Sequence, residues 1–268
     1  MNRRNVIAVV FGALGAAPAA AQLHTGDYAV QIDASALQLG GVVGTGAAEF
    51  PFPLRSGVFG NEGFANFTND PGVDSVPGAL IPGMAIGFDV TAALREWDGT
   101  DFDTISDDTV SIRDGGVIVA TTPPTDSTVA GTIFGTADSD SAAVFHHHVQ
   151  FFLNYPSTTP VDGVWLFTWD LWTDEPGIER SGDAYIVFAQ GTGTAQLDDA
   201  VAWVEDNLLA SPCVADCDGS GTLNLDDIDC FVAGFLASDL GLADCDGSGT
   251  LNLDDIDCFV SGFLAGCP

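Results

Sequence analysis

The strongest constraint on this chain is a repeat near its C-terminal end. Residues 215–237 read ADCDGSGTLNLDDIDCFVAGFLA, and residues 243–265 repeat that text with Ser261 standing where the first copy has Ala233. Two copies this alike are expected to take the same local structure and meet through equivalent faces. In each copy an Asp- and Gly-rich loop leads into an apolar-periodic stretch. Ile228, Phe231, Val232, Phe235 and Leu236 fall at i, i+3, i+4, i+7 and i+8, as do Ile256, Phe259, Val260, Phe263 and Leu264. That spacing predicts one amphipathic helix per copy. Two such stripes facing each other would bury a miniature core, with the loops at opposite ends.

The loops have the spacing of a twelve-residue calcium loop. Asp216, Asp218 and Ser220 occupy positions 1, 3 and 5, Gly221 position 6, Thr222 position 7, Asn224 position 9 and Asp227 position 12. The second copy supplies Asp244, Asp246, Ser248, Gly249, Thr250, Asn252 and Asp255. Calcium takes about six to eight oxygen ligands, and alternate residues of a tight loop turn their oxygens toward one centre. The glycine allows the sharp turn, and the threonines would ligate through their carbonyls. Two Ca2+ ions are therefore expected. Asp at position 12 is shorter than the usual Glu, which predicts affinities of about 10⁻⁴ to 10⁻³ M, as in extracellular modules.

Cysteine usage divides the chain at the same place. The six cysteines are at 213, 217, 230, 245, 258 and 267, and none precedes residue 213. An even number in so short a segment suggests disulfides formed in an oxidising compartment. Cys230 and Cys258 lie about 200° around the helix from Ile228 and Ile256, facing away from the expected core, which suits a disulfide partner. Symmetry permits 217–230 with 245–258, or 217–258 with 230–245. Either leaves Cys213 and Cys267 to clasp the two ends.

The duplicated DxDGSGxLNxxD loop followed by one helix resembles a type I dockerin. More narrowly it is similar to the cysteine-bearing dockerin-like tails, ending Gly-Cys-Pro, of secreted bacterial proteins. The resemblance covers residues 213–268 and implies two calcium ions at the loop residues named above. It also implies docking onto a cohesin-like receptor protein, often in assemblies that degrade polysaccharide. The segment itself carries eleven aspartates and no lysine or arginine.

The opposite end reads as a signal peptide over residues 1–21. Arg3 and Arg4 precede an apolar run from Val6 to Ala16, and Ala19-Ala20-Ala21 fits a small-residue cleavage site. The run is shorter than the roughly 20 residues of a membrane span, so no transmembrane segment is expected in the mature chain. Export as a secreted, extracellular or cell-surface protein follows. The formal net charge is −32, and all six basic residues are arginines. Such a chain is unsuited to contacting phosphates of nucleic acid or an anionic membrane surface.

Between leader and tail, residues 22–209 form one expected domain, joined to the tail at 210–212. Short apolar runs broken by Gly, Pro and Asp turns predict a mainly β body, a β-sandwich or jelly roll. Candidate strands include Tyr28–Asp33, Met84–Val90, Thr109–Arg113, Val117–Thr121, Val144–Leu153, Val164–Trp172 and Ala184–Ala189. The Val164–Trp172 run is apolar on both faces, which marks a central strand. Leu197, Val201, Val204 and Leu208 predict a helix over 195–209, packed on one end of the sheet.

Chemistry in the body is sparsely signalled. His146 and His148 share one face of the expected Val144–Leu153 strand and are read as ordinary histidines of a half-exposed strand; the alternative, a zinc or copper site, needs a third ligand from elsewhere. His24 would be third in a chain cleaved after Ala21, a position where copper(II) chelation by amine, amides and imidazole is conceivable. Asp98, Asp101, Asp103, Asp107 and Asp108 form one acidic loop, read as solvated surface. No G-x-S-x-G elbow, phosphate loop or dinucleotide fingerprint occurs, and the glutamates form no recognisable glycosidase pair. No catalytic residue is assigned. The leading reading is a secreted calcium-binding interaction protein whose tail docks a β-rich body into an extracellular or cell-surface assembly. Alternatives are a carbohydrate-binding component of a polysaccharide-degrading system and a small hydrolase with an unrecognised site; tryptophans 97, 165, 169 and 172 are read mostly as core, with a sugar-stacking platform as their other role.

Overall fold

The computed structural model describes residues 23–43, 46–61, 63–156, 161–209, 215–218, 220 and 222–266. The leader, the junction, Gly221, Cys213 and Cys267 lie outside these described residues. What is described is a mainly β body of three sheets over residues 28–190, followed by a small helical region.

The largest sheet is built around the strand Gly163–Thr173. It pairs antiparallel with Ala184–Gln190 on one side and Ala85–Val90 on the other. Val129–Thr136 adds to the second side and Leu54–Val58 to the first, the latter in parallel. The central position follows from the double apolar face. Trp165, Phe167, Trp169 and Leu171 enter the main core, whereas Val164 and Leu166 enter a second cluster on the other face.

Two smaller sheets cover the main-core face. One runs His146–His147, Val73–Ser75, Tyr28–Asp33, Ala36–Val43 and Ala47–Glu49; the other runs Val117–Thr121, Thr109–Asp114, Gln150–Asn154 and Phe67–Thr68. Tyr28 of the first packs on Trp169 at 6.0 Å between ring centroids. Phe151 of the second meets Phe188 at 5.1 Å and Trp169 at 5.9 Å. One apolar core thus lies between the main sheet and a divided opposing layer. Burying a side chain of this size contributes about 1.5–3 kcal/mol, which a body without described disulfides depends on.

Two expectations change. The run Val144–Leu153 is not one strand: His146–His147 pairs with Val73–Ser75, and Gln150–Asn154 pairs with Thr109–Asp114 in a different sheet. The chain crosses between sheets at His148 and Val149. The predicted C-terminal helix of the body becomes a 3₁₀ turn, helix α1 (Leu197–Val204) and a π turn. It covers a face of the main sheet, not an end, with Ala200 and Val204 against Val164, Leu166, Val187 and Ala189. Trp97, Trp165 and Trp169 are buried and Trp172 is half-buried, so the first three serve the core and offer no stacking platform.

In the tail, helices α2 (Leu225–Ala237), α3 (Leu240–Ala243) and α4 (Leu253–Ala265) follow the loops. Phe231 and Phe259, equivalent in the repeat, stack at 4.2 Å with their planes 12° apart. Ala215, Ala243 and these two rings form a small core. Gly234 allows α3 to approach, since a Cβ there would stand 2.7 Å from Leu242 Cβ.

Candidate metal loops and the neighbouring groove

Each loop closes on the helix that follows it. Asn224 and Asn252 are N-caps whose side chains accept from Asp226 N at 2.7 Å and Asp254 N at 2.6 Å. Asp227 and Asp255 complete the capping boxes, taking the N-cap amides at 2.8 and 2.7 Å on Oδ2. Loop positions 9 and 12 therefore start the helix as well as ending the loop. That placement sets a carboxylate at the positive end of the helix dipole. Both position-12 aspartates are fully buried.

The carboxylates converge. Asp216, Asp218 and Asp227 each bring an oxygen within 4.8 Å of the others, as do Asp244, Asp246 and Asp255. In the first loop Ser220 N donates to Asp216 Oδ1 at 3.0 Å and Asp218 Oδ1 at 2.9 Å. The Thr222 carbonyl accepts from Ser220 Oγ and Asn224 Nδ2, each at 3.3 Å. In the second loop the Thr250 carbonyl accepts equivalently from Ser248 and Asn252, Gly249 N donates to Asp244 Oδ2 at 2.9 Å, and Asp244 Oδ1 is buried with no hydrogen-bond partner among the described residues.

Hydrogen bonding favours the charged form of one carboxylate in each loop. The Asn224 amide is the main reason that Asp227 sits below the usual carboxylate range, and the Ser248 amide does the same for Asp246. Three carboxylates so close repel one another, and a hard divalent cation relieves that repulsion. The donor set, all oxygen with one orphaned buried acceptor, fits Ca2+. Two such triads could hold two metal ions.

The disulfides are Cys217–Cys230 and Cys245–Cys258, with Cα–Cα separations of 5.8 and 5.9 Å. Within-copy pairing is thus the arrangement adopted. Each bond ties loop position 2 to the following helix and points to an oxidising compartment. Cys230 and Cys258 are half-buried, and their partners pack against the small core.

The apolar stripes are only partly consumed by that core. Val232 and Leu236 are 47% and 80% exposed, Val260 and Leu264 46% and 80%. With Ile228, Phe231, Phe235 and their repeat equivalents they line an open groove of about 530 Å³ between the helices. The stripe is wider than one small helix pair can cover. No described helix is long and apolar enough to cross a membrane.

In the body, the acidic loop does not gather its carboxylates: Asp98 Oδ1 instead accepts from the amides of Thr100 and Asp101. The histidines separate as alternation requires. His147 turns to Asp114, with Nε2 3.0 Å from Oδ1, and His146 and His148 lie on the other side. There they meet His24, Asp27 and Asp74, a convergence with no signal in the sequence because the partners are far apart along the chain. Asp27, beside His148, is the main cause of that imidazole's rise to about 9, against the opposing effect of burial. No family model matches the chain, and none of the curated proteins or solved structures compared with it is significantly similar.

Proposed function

We propose that the C-terminal repeat is a dockerin-like module that binds two Ca2+ ions and docks the β-rich body onto a partner protein outside the cytoplasm. The observation that carries the reading is the recurrence, at repeat-equivalent positions, of an aspartate triad closed onto a helix N-terminus. In each site the ligands would be the carboxylates at positions 1, 3 and 12, the Ser220 or Ser248 hydroxyl, the Thr222 or Thr250 carbonyl, and Asn224 or Asn252 directly or through water. The apolar groove beside the loops supplies the docking surface, since a patch of this kind on a small module is a common mark of an interaction site. A cohesin-type receptor is the partner class the resemblance implies.

Calorimetric titration of the chelator-stripped protein should count two Ca2+ per chain, and the Asp227→Ala, Asp255→Ala double variant should bind none. Absence of calcium binding by the unmodified protein would overturn the assignment. Docking is tested on a panel of purified cohesin-type domains. Capture should require calcium and be lost in Leu236→Glu, Leu264→Glu, which keeps both ions. Capture that survives chelation and both groove substitutions would remove this account of the tail.

A further inference from the structure

The body contains a second constellation, of different chemistry. His24, Asp27, His146 and His148 each present one ligand atom, and all four atoms lie within 4.8 Å of one another. The chain has only four histidines, and three of them meet here. The His24 and His146 ring centroids are 4.6 Å apart, those of His146 and His148 5.0 Å, and those of His24 and His148 6.3 Å.

The surroundings orient each ligand. His146 Nδ1 lies 2.5 Å from Asp74 Oδ1, and His148 Nδ1 lies 2.8 Å from the Asn69 carbonyl. With those nitrogens donating, Nε2 is the nitrogen each ring has left for a metal, and on His148 an ion would take the place of the proton shared with Asp27. A carboxylate or carbonyl behind the imidazole is the usual outer support of a metal-bound histidine. Asp74 also accepts the His24 amide at 2.6 Å, fixing the turn that carries His24 and Asp27. Gly72 is part of the same construction. Its amide donates to Asp27 Oδ1 at 2.7 Å, and a Cβ on it would stand 2.5 Å from His148 Cε1.

That leaves Asp27 Oδ2. Asp27 is 3% exposed, and Oδ2 makes no hydrogen bond among the described residues. It lies 3.3 Å from His148 Nε2 and 3.7 Å from His24 Nδ1. This buried carboxylate oxygen has no well-aligned donor, and its nearest polar neighbours are imidazole nitrogens. We propose that His24, Asp27, His146 and His148 form a transition-metal site for which zinc(II) is the fitting ion.

The chemistry separates this site from the loops of the tail. Calcium prefers oxygen ligands, whereas three imidazoles and one carboxylate suit a borderline ion with about 2.0–2.2 Å bonds and tetrahedral geometry. The ion would tie the His24–Asp27 turn to the point where the chain passes from one small sheet to the other. A cleft of about 490 Å³, bordered by His24, Asp27, Asp70 and His148, gives it a route in. His24 acts here through its ring, in a folded cluster, and needs no free amine nearby.

The test uses the full protein held in millimolar calcium, so that the tail's loops are filled, and titrates it with Co2+ followed by Zn2+. One Co2+ per chain should produce the visible bands of a tetrahedral nitrogen–oxygen site, and one Zn2+ should abolish them. His148→Ala and Asp27→Asn should lose the bands. Asp74→Asn, behind the ligand, should weaken binding about 10- to 100-fold, and His147→Ala should leave it unchanged. His24→Ala covers the case in which a buried variant fails to fold, because His24 is half-exposed on a turn; near-ultraviolet dichroism of the buried tryptophans reports folding throughout. Absence of saturable cobalt binding overturns the proposal. So does binding that persists in folded His24→Ala, His148→Ala protein, or that disappears equally in His147→Ala.

Discussion

Asp89 and Asp170 stand directly opposite each other on two neighbouring inner strands of the main sheet, both nearly buried. Like charges in that register are destabilising, and Arg180 is what makes the pair tolerable. Its Nη1 donates to both Asp170 oxygens at 2.7 Å and its Nη2 to Asp89 Oδ2 at 2.8 Å. Asp89 Oδ1 takes the Gly131 amide and the Trp172 indole, each at 3.0 Å. Burial pushes Asp89 up, but these donors outweigh it and hold its carboxyl below the usual range. A group with a depressed folded pKa stabilises above its unfolded pKa, about 3.9 for Asp, and loses that contribution as pH falls through the folded value. Arg180→Met should therefore destabilise the body by about 1–3 kcal/mol at pH near 7, the half-exposed guanidinium keeping the figure below that of a fully buried pair. The gap between variant and parent, read from urea unfolding, should narrow as pH falls below the ordinary Asp pKa of about 3.9.

At the scale of elements, the tail is where sequence and structure correspond most directly, because its instructions are local. The N-cap, the acid three residues on, the turn glycines and the apolar stripe all fall within one repeat. Asn224→Ala with Asn252→Ala removes both caps and should cost about 1 kcal/mol per helix. Since the caps also complete the loops, calcium affinity should fall in the same variant, a joint loss that calorimetry and circular dichroism would register together. The within-copy disulfides reinforce the same units. Opening a loop of this length costs about 3 kcal/mol in the chain-entropy account, so the reduced tail should require more calcium to become helical than the oxidised one. A titration followed by far-ultraviolet dichroism measures the difference. What the repeat text could not say is how much of each stripe would be covered. Phe231 and Phe259 meet at the symmetry centre, whereas Leu236 and Leu264 remain 80% exposed. Periodicity identifies an apolar face but not the number of neighbours available to bury it. The same limit explains the body's histidine run. Alternation placed His147 opposite His146 and His148, yet the break between two sheets depended on distant strands.

At the scale of the whole molecule, composition and long-range contacts pull in different directions. Apolar patterning made the β class and the central Gly163–Thr173 strand legible, since both depend on runs within a few residues. Sheet order, the position of α1 and the meeting of His24 with His146 depend on contacts across tens of residues and, for His24 with His146 and Leu54–Val58 with Ala184–Gln190, across more than a hundred. The charge balance is legible from the sequence but acts through the fold. With a net charge of −32, compaction works against self-repulsion, and the two aspartate triads concentrate that repulsion in the tail. Calcium bound only by the folded loops should stabilise them by RT ln(1 + [L]/Kd) per site. At about 10 to 100 times Kd, two sites together contribute roughly 3–5 kcal/mol. Thermal unfolding should accordingly show a tail transition that rises with calcium and a body transition that barely moves. Magnesium at equal ionic strength should reproduce little of the rise, because it demands tighter octahedral geometry than these loops provide. Equal stabilisation by both ions would mean that general screening of the acidic chain is responsible. A calcium-dependent rise in the body transition would instead move a calcium site into the sheets.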